Sequence, residues 1–350
     1  MSPQVSICVP NLNTRPYLPE RFETIFNQTL QDWELIVYDS FSNDGAWEYI
    51  RELAVREPRT RISQGPRDGI YPGWNVCIRQ ARGEYIYIAT SDDTMAPDCL
   101  EKLVAALTLS SQCDLAHCRL VVIDEAGQPR SEDNWPHGTA FGVSAPELLQ
   151  QAHIRYAPLD GVLHLTGQSV YLSITGLLIR RTLFSKVGNF RSDWGSSGDI
   201  NWAMRAGLVA NTVHVPDTWA SWRRHASQAT KEAVAGAKTD WWERRIEDMI
   251  EDALRECASY LHPSVRSGLE SHWIGWCRDL RQYYSQLRHR PNLVQRRLFQ
   301  LTQLIGGTSA GRREIVSQFC RKPQWTERVP LEMRRWLESL GIGPVITRVA

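Results

Sequence analysis

The chain has 350 residues, 42% apolar and 23% charged, with a mean hydropathy of −0.37, so it is a globular chain longer than one ordinary domain. No stretch reaches the roughly 18–20 continuous apolar residues of a membrane-spanning helix. The net charge of +1 is unevenly placed, because residues 258–350 hold fifteen Lys/Arg against six Asp/Glu and leave the rest near −8.

From the start, MSPQVSICVP enters strand-like sequence within five residues, too soon for a cleavable leader, and a cytosolic protein is expected. VSICVP (5–10) reads as a short strand closed by Pro10, followed by a helix across 17–30 and a buried strand WELIVYD (33–39). SFSNDG (40–45) is turn chemistry that leads into a helix over 46–57. RISQG is a third strand, 73–81 a helix, EYIYIATS (84–91) a fourth strand, and 96–107 a helix with Pro97 in its first turn. Strands separated by helices of this length imply βαβ units and a mostly parallel sheet, whose ligands sit beyond the carboxyl ends of the strands. The pattern weakens over 119–175, after a strand-like LAHCRLVVID (115–124). A strand and helix return over 173–190, then a helix over 198–208 and a strand over 211–217. After about 231 no strand signal remains. Trp242, Ile246, Met249, Ala253, Cys257 and Tyr260 keep to one helix face, and Trp273, Trp276, Leu280, Tyr283 and Leu287 to another. The expected division is an α/β body, 1–230, and an all-α extension, 231–350.

The eight cysteines show neither CxxC pairs nor zinc spacing and have mostly apolar neighbours, so reduced core thiols are expected. Fourteen tryptophans suit either a core or a carbohydrate-binding surface.

Asp39 and the adjacent Asp92 and Asp93 all fall at strand carboxyl ends, on one rim. Crowded carboxylates repel unless a cation intervenes, and oxygen ligands of this kind suit Mg²⁺ or Mn²⁺ with a phosphate-bearing substrate. An acidic pair of this sort can equally cap a helix. Asp199 opens a helix and His225 follows two arginines; Asp68 sits in a Gly/Pro-flanked turn. Each has an ordinary structural reading by itself.

Taken in order, these segments resemble the catalytic domain of glycosyltransferase family 2, which has the GT-A fold. VSICVPNLN, ELIVYDSFSNDG, GIYPGWNVCIRQARGEYIYIATSDD, GLLIRRTLFSKVGNFR with GDINWAMRAG, and WRRHASQAT resemble its successive motifs over residues 4 to about 230. The third segment is similar to a GIYDAMN-type subset. The resemblance implies a Rossmann-like α/β body and an inverting, metal-dependent enzyme that transfers a sugar from a nucleotide-diphosphate donor. It makes Asp199 the general base. Pro10, Asn11, Asn13, Asp39, Asp68 and Asp92 become donor-binding residues, with Asp39 on the base and Asp92 on the ribose. Asp93 and His225 are left to hold Mn²⁺ or Mg²⁺. Four positions depart from the pattern: Ser40 and Phe41 replace a second acid and a Gly, Gly198 replaces the usual Glu before the base, and Trp74 stands where relatives carry Arg or Met.

Without membrane helices or a Q-x-x-R-W motif shortly after the base, a distributive enzyme of surface polysaccharide or glycoconjugate assembly is expected. Its acceptor would be a glycan or lipid-linked sugar, with no nucleic acid as partner. Asp39 modestly favours UDP or dTDP. The basic helical extension offers an acceptor-binding wall, a surface for homo-oligomerisation or a peripheral membrane contact. A nucleotidyltransferase and a non-catalytic scaffold of the same fold are the alternatives; the first lacks its Gly-rich basic loop in PNLNTRPYLPE.

Overall fold

A computed structural model describes residues 2–130, 139–167, 169–226, 239–288, 290, 292–319 and 325–349. The N-terminal half follows from its apolar runs. β1 (Val5–Asn11), β2 (Trp33–Asp39) and β4 (Tyr85–Ile88) are buried almost throughout, as continuous β-branched and aromatic runs require when helices cover both faces of a sheet. β1 pairs in parallel with β2 and β4, and β2 in parallel with β3 (Thr60–Gln64). The crossovers are α1 (Leu18–Phe26), α2 (Ala46–Arg56) and α3 (Ile70–Gln80). The register sets Asn11 opposite Asp39 and Asp39 opposite Gln64, so three polar side chains meet at one end of three strands.

Beyond β4 and α4 (Cys99–Leu109) the sheet becomes mixed. Its order is β3-β2-β1-β4-β7-β5-β8-β6-β9. β5 (Leu115–Ile123) pairs in parallel with β8 (Thr212–Arg223), while β7 (Leu177–Arg180) lies antiparallel between β4 and β5. The antiparallel outer strand β6 (His153–Arg155) and helices α5 (Ala140–Ser144) and α6 (Leu159–His164) come from the stretch without a clear period. α7 (Leu183–Val187) and α8 (Gly198–Val209) complete the body. α6 and α8 meet backbone to backbone. A Cβ on Gly161 would lie 2.4 Å from the Leu208 nitrogen, and one on Gly207 2.5 Å from the Gly161 nitrogen, so neither position accepts a side chain without separating the helices.

The strand expected to end at Asp217 runs to Arg223. Pro216 lies in a bulge where the β5 register jumps from Val215 to Trp219, and pairing resumes beyond it. That continuation carries the chain to the rim where Asp92 and Asp93 sit.

The C-terminal region is helical: α9 (Thr239–Cys257), α10 (Pro263–Gly268), α11 (Ile274–Arg288), α12 (Leu293–Gly306), α13 (Ser309–Phe319) and α14 (Trp325–Ser339). It shares the main core, since Ile246, Met249, Ala253, Cys257, Trp273, Leu280 and Met333 join one cluster with the strands. It also returns a strand absent from the sequence pattern. β9 (Ile346–Arg348) pairs antiparallel with β6 and ends the sheet. Of the expected α9 stripe, Tyr260 departs and is exposed, because α9 ends at Cys257 and a 3₁₀ turn follows; the Trp242 side chain lies outside the described residues. Seven cysteines are free and buried, and Cys320 lies outside the described residues. Among the described tryptophan side chains only Trp219 is exposed, so most serve the core. No helix among the described residues is long and apolar enough to cross a membrane.

Candidate active site

The carboxyl ends of β1, β2 and β3 build the first part of the rim. Asp39 is fully buried and uses both oxygens. Oδ1 accepts from Asn11 Nδ2 (2.6 Å) and Ser42 Oγ (2.6 Å); Oδ2 accepts from the Ser42 amide (3.0 Å) and Gln64 Nε2 (2.9 Å). Four donors fill the four lone-pair directions of a carboxylate. Asp39 therefore organises the loop that follows it, and reading a base would require one bond, such as that from half-buried Gln64, to be exchanged. Asn13 takes a left-handed conformation (φ 53°) and its Oδ1 accepts from the Asn43 amide (2.9 Å), while its own amide donates to Ser42 Oγ (2.9 Å). Pro10 precedes this knot on β1. Asp68 is exposed on the loop between β3 and α3. Beside it, Arg67 donates to the carbonyls of Ser40 (3.2 Å) and Phe41 (2.5 Å). Phe41, standing where a Gly was expected, is also left-handed (φ 50°), with its ring more than half exposed on the rim.

Asp92 and Asp93 lie well before α4 starts at Cys99, so neither caps it. They face different ways. Asp93 is buried. Its Oδ1 accepts from the Arg223 amide (2.6 Å) and its Oδ2 from Thr90 Oγ1. Burial, and secondly the charge of Asp92, push its carboxyl well above the usual range. Asp92 is half-buried, and its Oδ2 lies 3.0 Å from His225 Nε2. The expectation of a metal on Asp93 thus meets a carboxylate turned inward onto β8, and Asp92 is the one that shares the rim with His225. His225 is held with its ring 4.9 Å from that of Tyr17.

Arg223 fixes this corner. Its Nε donates to the Asp92 carbonyl (2.6 Å), Nη1 to the carbonyls of Asp124 (3.3 Å) and Glu125 (3.1 Å), and Nη2 to Glu20 (2.5 Å). The guanidinium also lies over the Tyr17 ring. Sequence reasoning passed over Arg223 although it stands in the quoted WRRHASQAT segment, because its partners come from two separate loops and helix α1.

Asp199 occupies the first turn of α8, where the helix dipole favours a carboxylate. Its Oδ1 accepts from Tyr71 Oη (3.0 Å) and from the Ile200 amide (2.9 Å). Burial raises its proton affinity against those bonds. Tyr71, also missed from the sequence, sits at the start of α3, which follows β3 at its carboxyl end, so Asp199 shares the rim. Its ring stacks on Phe190 (5.9 Å, 14°) and meets Trp74 edge-on (5.2 Å). Trp74 is therefore a support beneath Tyr71. Gly198 has a steric cause: a Cβ there would lie 2.2 Å from the Arg191 carbonyl and 2.6 Å from the Tyr71 ring. No Glu can precede Asp199 in this packing. The extension reaches this segment too. Asp252 on α9 accepts from Arg191 Nη1 (2.5 Å) and Asn201 Nδ2 (3.0 Å), and Arg245 Nη1 donates to the Trp194 carbonyl (2.6 Å).

Among the described residues no group of three or more His, Cys, Asp or Glu forms a metal cage. Asp92 and His225 offer an oxygen and a nitrogen donor side by side, which suits a divalent cation that completes its shell with water and substrate oxygens. A cleft of about 310 Å³ lined by Tyr156, Asn211, Tyr260 and His262 lies at the other end of β8, roughly 30 Å away, and shares no residue with this rim.

Residues 6–159 match the model of the family described as glycosyl transferase family 2. A chondroitin synthase of Pasteurella multocida is 35% identical over 99 residues, 28% of this chain and 10% of that protein. The glycosyltransferase GlyG of Streptococcus pneumoniae is 36% identical over 104 residues, 29% of this chain and 35% of its own length. The chain thus spans between about a tenth and about a third of these curated relatives. In three dimensions, S. aureus TarS 1-349 in complex with UDP-GlcNAc aligns with a TM-score of 0.53 at 15% identity, over 96% of this chain and 92% of that one. The mannosyltransferase PcManGT from Pyrobaculum calidifontis, in complex with GDP-Man and Mn²⁺, aligns with a TM-score of 0.50 at 16% identity, over 98% and 87%. Identities this low establish a shared fold.

Proposed function

Since residues 6–159 match the model of glycosyl transferase family 2, we propose that the chain is a member of that family and moves one sugar at a time from a nucleotide-diphosphate sugar to an acceptor hydroxyl, with inversion at the anomeric carbon. The observation that carries this reading is a single carboxylate, Asp199, whose proton affinity is raised by burial and whose orientation is fixed by Tyr71, on the rim that also holds Asp92 and His225.

In this reading Asp199 takes the proton of the acceptor hydroxyl as its oxygen attacks the anomeric carbon. Its raised affinity brings it nearer to the range a general base needs. One base with no second carboxylate nucleophile gives direct displacement. Asp92 and His225 would hold Mn²⁺ or Mg²⁺, which supplies positive charge to the diphosphate leaving group. Asp93 positions Asp92 by anchoring the turn to the Arg223 amide, a different role from the metal ligand expected of it. Pro10, Asn11, Asn13 and Asp39 shape the nucleoside pocket, with Asp68 at its entrance. Uracil or thymine is favoured if Asp39 exchanges its bond from Gln64 for one from the base. Surface polysaccharide or glycoconjugate assembly is the setting that suits such an enzyme, with a glycan or lipid-linked sugar as acceptor.

The test is Asp199→Asn, assayed with a panel of sugar nucleotides and Mn²⁺. Donor binding should survive while transfer falls by about 10²–10⁴-fold, the usual contribution of a general base. Unchanged transfer would remove Asp199 as the base.

A further inference from the structure

Helix α12 is docked on one side only. Phe299 joins Tyr283 and Ile315 in a small core, with Leu304 at its edge. At about 100° per residue, Val294, Leu298, Leu301 and Ile305 fall within about 60° of one another on the face that Phe299 and Gln300 straddle from behind. All four point to solvent, from 54% exposed at Leu301 to 87% at Ile305, and Leu293, 71% exposed, begins the same helix. An aliphatic stripe this regular opposite the docked face is not accounted for by the core.

The charge around it is one-sided. Between Asp279 and Glu314 the sequence has seven arginines and no acid. Arg290, Arg296, Arg297, Arg312 and Arg313 are exposed. Glu314 is buried, and its carboxylate accepts from Tyr284 Oη (2.5 Å) and Arg328 Nη2 (2.8 Å), so it does not offset them at the surface.

We propose that α12 is an interfacial helix that lies on an anionic lipid bilayer, with Val294, Leu298, Leu301 and Ile305 in the acyl boundary and Arg297, together with the exposed Arg312 and Arg313 that follow the helix, on headgroup phosphates. A second copy of the chain is the poorer occupant, since a two-fold contact would set this arginine-rich face against itself. Nucleic acid would reward the arginines and leave the aliphatic stripe in water. An anionic surface with hydrocarbon beneath it satisfies both features.

The full chain is floated with vesicles of phosphatidylcholine alone and of equal parts phosphatidylcholine and phosphatidylglycerol, at low and high salt. Strong binding to the mixed vesicles, weak binding to the neutral ones and loss with salt are expected. Leu298→Glu with Leu301→Glu should abolish binding without moving the thermal unfolding midpoint, because both side chains are exposed. Arg297 flanks the stripe, and Arg297→Gln should weaken binding by about fivefold. Absence of wild-type binding to the anionic vesicles, or undiminished binding by the Glu pair, overturns the proposal. A wild-type dimer that the Glu pair converts to monomers, with vesicle binding unchanged, assigns the face to a second copy instead.

Discussion

β8 has buried charge at both ends. At its start, Arg155 Nε donates to Asp160 Oδ1 (2.7 Å), Tyr171 Oη donates to Asp160 Oδ2 (2.9 Å), and His153 and His214 lie against the same group. Burial alone would raise the Asp160 carboxyl, yet Arg155 and these hydrogen bonds hold it below its usual range. At the far end, Asp93 and Asp92 adjoin each other, and burial together with their mutual repulsion raises Asp93. One end completes its own charge balance and acts as architecture. The other leaves carboxylates crowded, which is where a cation and a charged substrate can complete it.

Breaking the closed end should have the largest effect. Asp160→Asn leaves the Arg155 guanidinium uncompensated in the interior and should cost about 3–5 kcal/mol by urea unfolding. Arg155→Met combined with Asp160→Leu should recover most of that loss, because the desolvated pair is removed together. A double variant no better than the single one would mean that the cluster fixes the backbone around β6 and does more than balance charge.

Acid probes the same end with a smaller effect. Burial, and then the nearby cations, depress His117 and His214 well below their usual range and His153 to about 4. The unfolded imidazoles titrate near pH 6.5, about where His begins to charge in water. Below that pH the unfolded chain binds protons that the folded chain does not, so stability is full above about pH 6.5 and falls as pH drops. Each histidine contributes on the order of 1 kcal/mol per pH unit, or about 3 kcal/mol between roughly pH 6 and 5. Asp93 and Asp199, whose folded affinities are raised, act with the opposite sign as pH falls and blunt the loss. Flat stability across this range in an Asp93→Asn, Asp199→Asn background would show that protons reach the histidines in the folded state.

The contrast between the two ends also explains what could be read ahead of the coordinates. β1 to β4 were legible because each is a short apolar run punctuated by turns, and register alone then gathers Asn11, Asp39 and Gln64. Asp199 and His225 were legible as positions in ordered motifs. Arg223 and Tyr71 were not singled out, since their importance lies in partners more than 90 residues away along the chain. The division of labour between Asp92 and Asp93 depends on which carboxylate the bulged β8 reaches, and no local pattern encodes that. β6 and β9 were hidden because three-residue strands carry too little alternation to register.

Removing the raised charge at the open end should reverse the sign seen at Asp160. In Asp93→Asn the amide oxygen can still accept from the Arg223 amide, and the amide nitrogen can donate to the Thr90 hydroxyl. The buried carboxylate is gone, so a gain of about 1 kcal/mol is expected in chemical denaturation. A loss comparable with that of Asp160→Asn would make Asp93 part of the architecture and erase the distinction between the ends.

The smallest effect tests whether the open rim also stores backbone strain for a purpose. Phe41 is left-handed because Arg67 holds the carbonyls of Ser40 and Phe41 while Asp39 holds the Ser42 amide, and its ring gains little burial in return. A non-glycine residue in the left-handed region costs about 1–2 kcal/mol, against about 0.5–1 kcal/mol of extra chain entropy that a glycine loses on folding. Phe41→Gly should therefore raise stability by up to about 1 kcal/mol. If the ring stacks on the donor base, the same variant should weaken donor binding by about fivefold to tenfold, in keeping with an aromatic contact of about 1 kcal/mol. Greater stability with an unchanged donor Kd would mean that the aromatic is tolerated at this turn and contributes nothing to recognition. Greater stability with weaker binding would show that this rim, unlike the closed end of β8, gives up folding energy to hold a ligand.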